Sequence, residues 1–281
     1  MKQLPIAIPT IERTDKQIFL SNLPTEYHSN VTIYAPEKDC VAIKKKYPHC
    51  KYRATPAIGI AKTRQIMMEE AGRYLFMVDD DVRITESVWS LEKKAVTNGQ
   101  KLTVDTPELW DTFFSQILSA LVSGAGMVGV TYNAQAWQIS KEQYTSGIHG
   151  PARLWSVYAI NAKFANKFGL RFDNIPCMED FDFNLQLLRS GIPTGALTQY
   201  QWGQFQSNAD GGCSTYRTTE LQRKSALTLK ARHGNFVKVV EKKANWGNGM
   251  SMRTDARVQW AKAAESGNCA PLNILRENER T

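Results

Sequence analysis

Three consecutive carboxylates, Asp79, Asp80 and Asp81, end the apolar run Tyr74–Val78 in "RYLFMVDDDVRIT". A buried strand does not stop in three acids unless something positive meets them. On an extended chain Asp79 and Asp81 point to one side and Asp80 to the other. An Asp-x-Asp pair so placed can hold one hard divalent ion, Mg2+ or Mn2+, directly and through water, and share it with a bound diphosphate. Asp80 is left to brace the turn or to touch the ligand. A second acidic pair, Glu179 and Asp180, opens "MEDFDFNLQLLRSG". First-turn acids are favoured by the helix dipole, so capping alone would account for them. Their place downstream of an Asp-x-Asp pair gives them a second meaning: a carboxylate able to take a proton.

The surrounding elements must hold these groups. "LPIAIPT" predicts a strand over Leu4 to Ile8, broken at Pro9, and "VTIYAP" a second over Val31 to Ala35; "KYRATP" is a short third. "IAKTRQIMMEEAG" has helical spacing, with Gly72 as its stop. "TPELWDTFFSQILSALV" predicts an amphipathic helix capped by Thr106, with Pro107 in its first turn. "GMVGVTY" and "RLWSVYAI" read as strands, while "EDFDFNLQLLR" and "TELQRKSALTLKARH" read as helices. This alternation predicts an α/β fold: a mostly parallel, Rossmann-related sheet flanked by helices. Ligands in such sheets sit beyond the carboxyl ends of the strands, where the triplet lies.

The chain has 281 residues, a formal net charge of +8 and a sequence pI near 9.2. The excess of positive charge favours a polyanionic partner. Five scattered cysteines without a Cys-x-x-Cys pair argue against a zinc knuckle. The start carries no signal-peptide core, and no apolar run is long enough for a bilayer, so a cytoplasmic protein without membrane contact is expected. The composition shifts after residue 204. Residues 1–204 are expected to form the catalytic core. Residues 205–281 are expected to be a basic and aromatic extension that completes the site and meets the acceptor, with few strands. There Arg217, Arg223, Lys224, Lys238, Arg253 and Arg257 interleave with Tyr216, Phe236, Trp246 and Trp260.

The ordered pair of acidic motifs resembles that of A-type (GT-A) glycosyltransferases. The resemblance implies a nucleotide-sugar donor such as a UDP-sugar, a divalent metal on its diphosphate, and an acceptor hydroxyl. If the anomeric centre inverts, Asp180 first and Glu179 second would be the base; if configuration is retained, Asp180 would orient or stabilise instead. By the same likeness Pro9, Thr10 and Arg13 would seat the base and ribose, Tyr34 and Ala35 would touch the nucleobase, and Lys62 or Arg64 would meet the diphosphate. Asp79 and Asp80 would contact the donor, and His233 would join Asp79 and Asp81 as a third metal ligand. "GIAKTRQIMMEEA", "FMVDDDV", "MEDFDFNLQLLRSG", "NADGGCSTYRT" and "WGNGMSMRTDARVQW" together resemble the phage glycosyltransferases associated with TET/JBP-type oxygenases. That likeness implies DNA bearing a hydroxymethylpyrimidine as acceptor. Three other readings stay open: the same enzyme class acting on a glycan or small molecule; a nucleic-acid-binding protein without catalysis; and a phosphatase, since "FMVDDDVRI" also resembles the haloacid-dehalogenase pattern.

Overall fold

The computed structural model describes residues 4–204, 212, 216–243 and 252–272. Trp246, Cys213 and most of the glycine-rich stretches 208–215 and 246–251 lie outside the described residues. The chain begins β1 (Ile6–Pro9), α1 (Ile18–Asn22), β2 (Val31–Ala35), α2 (Glu37–Lys46), β3 (Lys51–Ala54), α3 (Ile60–Glu70) and β4 (Tyr74–Val78). These four strands pair in parallel, in the order β3-β2-β1-β4. Side chains alternate between two cores, as period-two geometry requires. Ile6, Ile8, Ile33, Phe76 and Val78 enter one, and Ala7, Tyr34, Leu75 and Met77 the other. Both faces are covered, which is why these strands read as continuous apolar runs.

The chain continues as β5 (Val82–Ser90), β6 (Ala95–Lys101), α4 (Pro107–Val122), β7 (Met127–Tyr132), α5 (Lys141–Ser146), β8 (Ile148–His149), β9 (Val157–Asn161), α6 (Ala162–Lys167), α7 (Glu179–Arg189) and β10 (Thr194–Gln204). The 10-stranded sheet runs β3-β2-β1-β4-β9-β7-β10-β5-β6, with β8 beside β10. β7 and β10 point the same way as β1 to β4, so the expected mostly parallel sheet is found. β9 lies antiparallel between β4 and β7. Its start, not its end, therefore meets the carboxyl ends of its neighbours. Helix α4 buries Trp110, Phe113, Phe114 and Ile117 against the sheet, with Phe113 edge-on to Phe76 at 5.8 Å. Each such ring contributes about 1.5–3 kcal/mol on burial.

Three local expectations are corrected. Thr106 does not cap α4 with its side chain; its hydroxyl instead closes a turn with the backbone of Thr103. Helix α3 ends at Ala71 in an extended conformation, so Gly72 is not its stop. The late region is not poor in strands. After α8 (Thr219–His233), β11 (Val237–Lys243) and β12 (Met252–Val258) form an antiparallel pair, followed by α9 (Trp260–Ser266). These elements pack Ala226, Leu229, Val237, Ala256 and Ala263 onto Ile175, Phe181, Leu185 and Leu188 around α7.

Candidate active site

The chain leaves β4 at Asp79 and turns at once through Asp80 and Asp81 into β5. The alternation expected of an extended chain therefore fails here. Arg13 Nη1 reaches both Asp80 Oδ1 at 3.0 Å and Asp81 Oδ2 at 2.8 Å. Asp80 is buried and braces the loop after β1. It accepts a hydrogen bond from the Thr10 hydroxyl, its backbone carbonyl accepts from Phe19 N–H at 3.1 Å, and Gln17 Nε2 donates to Thr10 at 2.8 Å. Burial lifts the Asp80 carboxyl to about 7 even though Arg13 and Thr10 favour its charged form.

Asp79 faces another arginine. Helix α3 starts after Gly59, whose φ of 89° suits glycine, and Ile60 N–H donates to the Tyr216 hydroxyl at 2.9 Å. Farther along this helix Arg64 is buried, with its guanidinium 5.3 Å from the Tyr158 ring. Arg64 Nη2 donates to Asp79 Oδ1 at 2.9 Å, and Nη1 donates to Glu179 Oε1. One rigid fork thus joins the two acidic motifs.

Met178, just before α7, sits in the left-handed region at φ 65° and turns the helix N-terminus toward the cleft. Such conformations in a non-glycine residue persist where surrounding structure holds them, and they cluster at functional sites. Asp180 is buried beside Glu179, and its Oδ1 accepts from Phe181 N–H at 3.0 Å. Burial raises the proton affinity of both acids, against the charge of Arg64. Two adjoining buried carboxyls share their titration, so a proton is held by the pair rather than by one member.

These groups line a cleft of about 420 Å³, within the range of small-ligand sites. The structure brings Pro9, Thr10, Arg13, Tyr34, Arg64, Asp79, Asp80, Asp81, Glu179 and Asp180 to its walls. Tyr34 presents its ring while its hydroxyl donates to Glu70 at 3.2 Å. Arg64 is held between carboxylates instead of standing free for a diphosphate. Three expected residues are elsewhere. Ala35 is buried in the sheet core. Lys62 is exposed on α3, on the side of Asp173. His233 is buried behind α7, its Nε2 2.7 Å from Asp182 Oδ1. The α7 and α8 packing holds it there, apart from Asp79 and Asp81, so it is not a third ligand in this arrangement.

His233→Ala is accordingly expected to leave divalent-metal affinity unchanged while lowering the melting temperature. Asp182 is fully buried and is held below the ordinary carboxylate value, against its burial, by His233 and Arg232. Calorimetric metal titration and thermal denaturation, run in parallel, check this outcome.

The acids suit a hydrated divalent ion. Asp81 is raised by burial and then by the nearby charge of Asp79, and Asp79 Oδ2 makes no hydrogen bond among the described residues. Among those residues no three His, Cys, Asp or Glu groups gather to hold an ion unaided. Two carboxylates on an open wall fit a cation that keeps several waters and completes its shell with phosphate oxygens. Sequence reasoning missed Arg153, Trp155 and Tyr132, which also line the cleft. Arg153 and Trp155 precede their strand, and only the reversal of β9 brings that end to the site.

A strand-end acid cluster tied through one arginine to a helix-opening acid pair is an arrangement suited to group transfer. The chain belongs to the TET-Associated Glycosyltransferase family, whose description matches residues 4–212, both acidic motifs included. The family match favours the glycosyltransferase reading over the phosphatase one. No curated protein matches the chain. Among solved structures, S. aureus TarS (1–349) in complex with UDP is similar at 12% identity and a TM-score of 0.46, over 81% of this chain and 65% of that one. The mannosyltransferase PcManGT from Pyrobaculum calidifontis, in complex with GDP-Man and Mn2+, is similar at 10% identity and a TM-score of 0.46, over 82% and 63%. This chain spans less than two thirds of either. No helix among the described residues is long and apolar enough to cross a membrane.

Proposed function

We propose that the protein moves a sugar from a nucleotide-sugar donor, a UDP-sugar first among candidates, to the hydroxymethyl group of a modified pyrimidine in DNA, with Mn2+ or Mg2+ bound. The observation that supports the transfer is the Asp79–Arg64–Glu179 bridge, in which one guanidinium joins the two acidic motifs at a single cleft. Asp79 and Asp81 would hold the metal, which neutralises charge developing on the diphosphate leaving group. Pro9, Thr10 and Tyr34 line the donor end, and Arg13 holds the acid loop in place. Asp180 accepts the proton of the attacking hydroxyl while the bond from sugar to diphosphate breaks and that to the hydroxyl oxygen forms. Glu179, engaged by Arg64, positions the helix terminus and shares the proton load. The DNA acceptor is supported by the family's association with TET and by the positive balance of the chain. Arg223, Lys224, Lys238, Lys243 and Arg257 are exposed on α8, β11 and β12. We propose that residues 205–281 act as the acceptor-facing extension and that the protein works in the cytoplasm.

Asp180→Asn is expected to lower kcat by about 10²- to 10⁴-fold, the usual contribution of a positioned base. The sign of the pH dependence follows from the raised proton affinity of the Glu179–Asp180 pair. Wild-type kcat/KM should fall as pH drops through that raised range, at a higher pH than a solvent carboxylate would give. The acid limb of the variant's residual activity should shift from that of the wild type, because Glu179 then titrates without its partner. The function as a whole is tested by incubating the protein with Mn2+, a panel of nucleotide sugars and hydroxymethylated DNA, then weighing the digested nucleosides. A hexose or pentose increment on the hydroxymethylpyrimidine supports the reading. Transfer to a glycan or small molecule with none to DNA would replace it.

A further inference from the structure

The wall of the cleft away from Tyr34 holds a cation to which the transfer above gives no task. Arg153 lies in the loop before β9. Gly150 presses that loop onto β10, since a Cβ there would come 2.3 Å from the Thr194 carbonyl oxygen. The Arg153 guanidinium lies 4.0 Å from the Trp155 ring centroid and 4.6 Å from that of Phe181. Its Nε is buried with no hydrogen-bond partner, and the side chain makes no hydrogen bond or ion pair among the described residues. Burial lowers its proton affinity, against the charges of Asp180 and Asp255. A guanidinium carries five donors in a fixed fork, and leaving even one of them, here Nε, unfilled out of water is costly. Contact with two rings holds that fork in place without satisfying it.

The rings beside it form a tilted cluster. Trp155 and Tyr132 are both half-buried cleft residues with centroids 5.3 Å apart, and fully buried Trp202 backs Tyr132 at 4.8 Å. A partly wet aromatic cluster with a cation over one of its rings offers what a single nucleotide needs: a ring for the base and a bidentate partner for its phosphate. It stands apart from the donor end, because β4 with Asp79 lies between β9 and the strands β1 and β2 that position Thr10 and Tyr34.

We propose that Trp155 and Tyr132 stack an unpaired pyrimidine of the DNA acceptor and that Arg153 grips the adjoining phosphate, presenting the 5-hydroxymethyl group to Asp180. This subsite rests on the DNA-acceptor reading above. It implies that the base leaves the duplex before transfer, so a hydroxymethylcytosine in a single strand or opposite an abasic site is a better substrate than one in a matched duplex.

The test uses the full chain with a fluorescently labelled single strand carrying one hydroxymethylcytosine, read by anisotropy, and with transfer kinetics on the same strand. Arg153→Met and Trp155→Leu should weaken strand binding about tenfold or more, in keeping with the worth of one stacked base. The acceptor KM should rise by a similar factor over any change in donor KM, and Trp155→Phe should recover most of the loss. Equal losses in donor and acceptor KM would overturn the proposal and assign Arg153 to the diphosphate. Wild-type transfer to DNA that these variants leave intact would also overturn it, with the function reading untouched. Strand binding that depends on Arg153 and Trp155 without any transfer would uphold the subsite and sink the function reading. The absence of both binding and transfer in the wild type would remove both.

Discussion

Replacing Asp79 by asparagine is expected to abolish sugar transfer and donor hydrolysis while DNA binding survives. The charge that develops on a departing nucleoside diphosphate needs a counter-charge, and a bound metal supplies several kcal/mol of it, so the loss should be about 10³-fold or more. Asparagine keeps the size of the side chain and an oxygen for Arg64, but it is a poor ligand for a hard cation. Asp81→Asn should behave alike, because Asp81 adjoins Asp79 and not the acceptor wall. The DNA affinity proposed above would come mainly from exposed basic residues on other elements, so its salt dependence should match the wild type. Calorimetry with Mn2+ and nucleotide, rate measurements and DNA retention at rising salt are the checks. Transfer within tenfold of the wild type would mean that Arg13 and Arg64, not a metal, neutralise the leaving group.

Arg64→Met should produce the largest loss of stability of any single change in the cleft. The Arg64 side chain is 5% exposed and so is that of Glu179, and the same guanidinium also serves Asp79. Removing one partner from a buried ion pair leaves an uncompensated charge and costs about 3–5 kcal/mol. For a chain of this size that is a fall in melting temperature on the order of 10 °C. The double variant Arg64→Met with Glu179→Gln should recover part of the loss, since the stranded charge is gone. Arg64→Lys should melt between the two but remain poorly active, because an ammonium lacks the fork that spans both acids. Denaturation of the three variants settles the matter. A melting point for Arg64→Met within a degree of the wild type would show that the pair contributes geometry and no stability.

The parts of this fold that are plain in the sequence are those where one physical demand dominates. β2 and β4 are continuous apolar runs because both faces are covered, and α4 has a single apolar face. The polar hairpin β5–β6 escapes notice because few of its side chains are buried. β11 and β12 do the same, with lysines, arginines and acids along two strands that read as solvated chain. At the site, the carboxylates are legible because three acids after a buried strand have no ordinary structural excuse. Their partners are harder to see. Arg64 reads as a diphosphate partner or a surface helix residue until Glu179 is brought to it, and Arg153 stands before a strand whose direction no local pattern records. His233 misleads for the opposite reason. Its distance along the chain suits a ligand, but the packing of α8 behind α7 gives its imidazole to Asp182.

The reversed strand also bears on how the chain reaches this state. β4 and β7 are made before β9, yet β9 must end up between them, paired to both. Until it arrives, the two older strands have to stand about 10 Å apart, two strand spacings, with their edges open. Open edges seek partners, and direct pairing of β4 with β7 would close the slot. The half-made sheet is thus the state most exposed to mispairing and self-association. The cleft cannot exist before that slot is filled, because the residue ahead of β9, Ser156, accepts from Asp79 N–H at 2.9 Å. Acquisition of activity during refolding should therefore lag behind formation of the β1–β4 layer, and a chain arrested before β9 would carry its acids without a site.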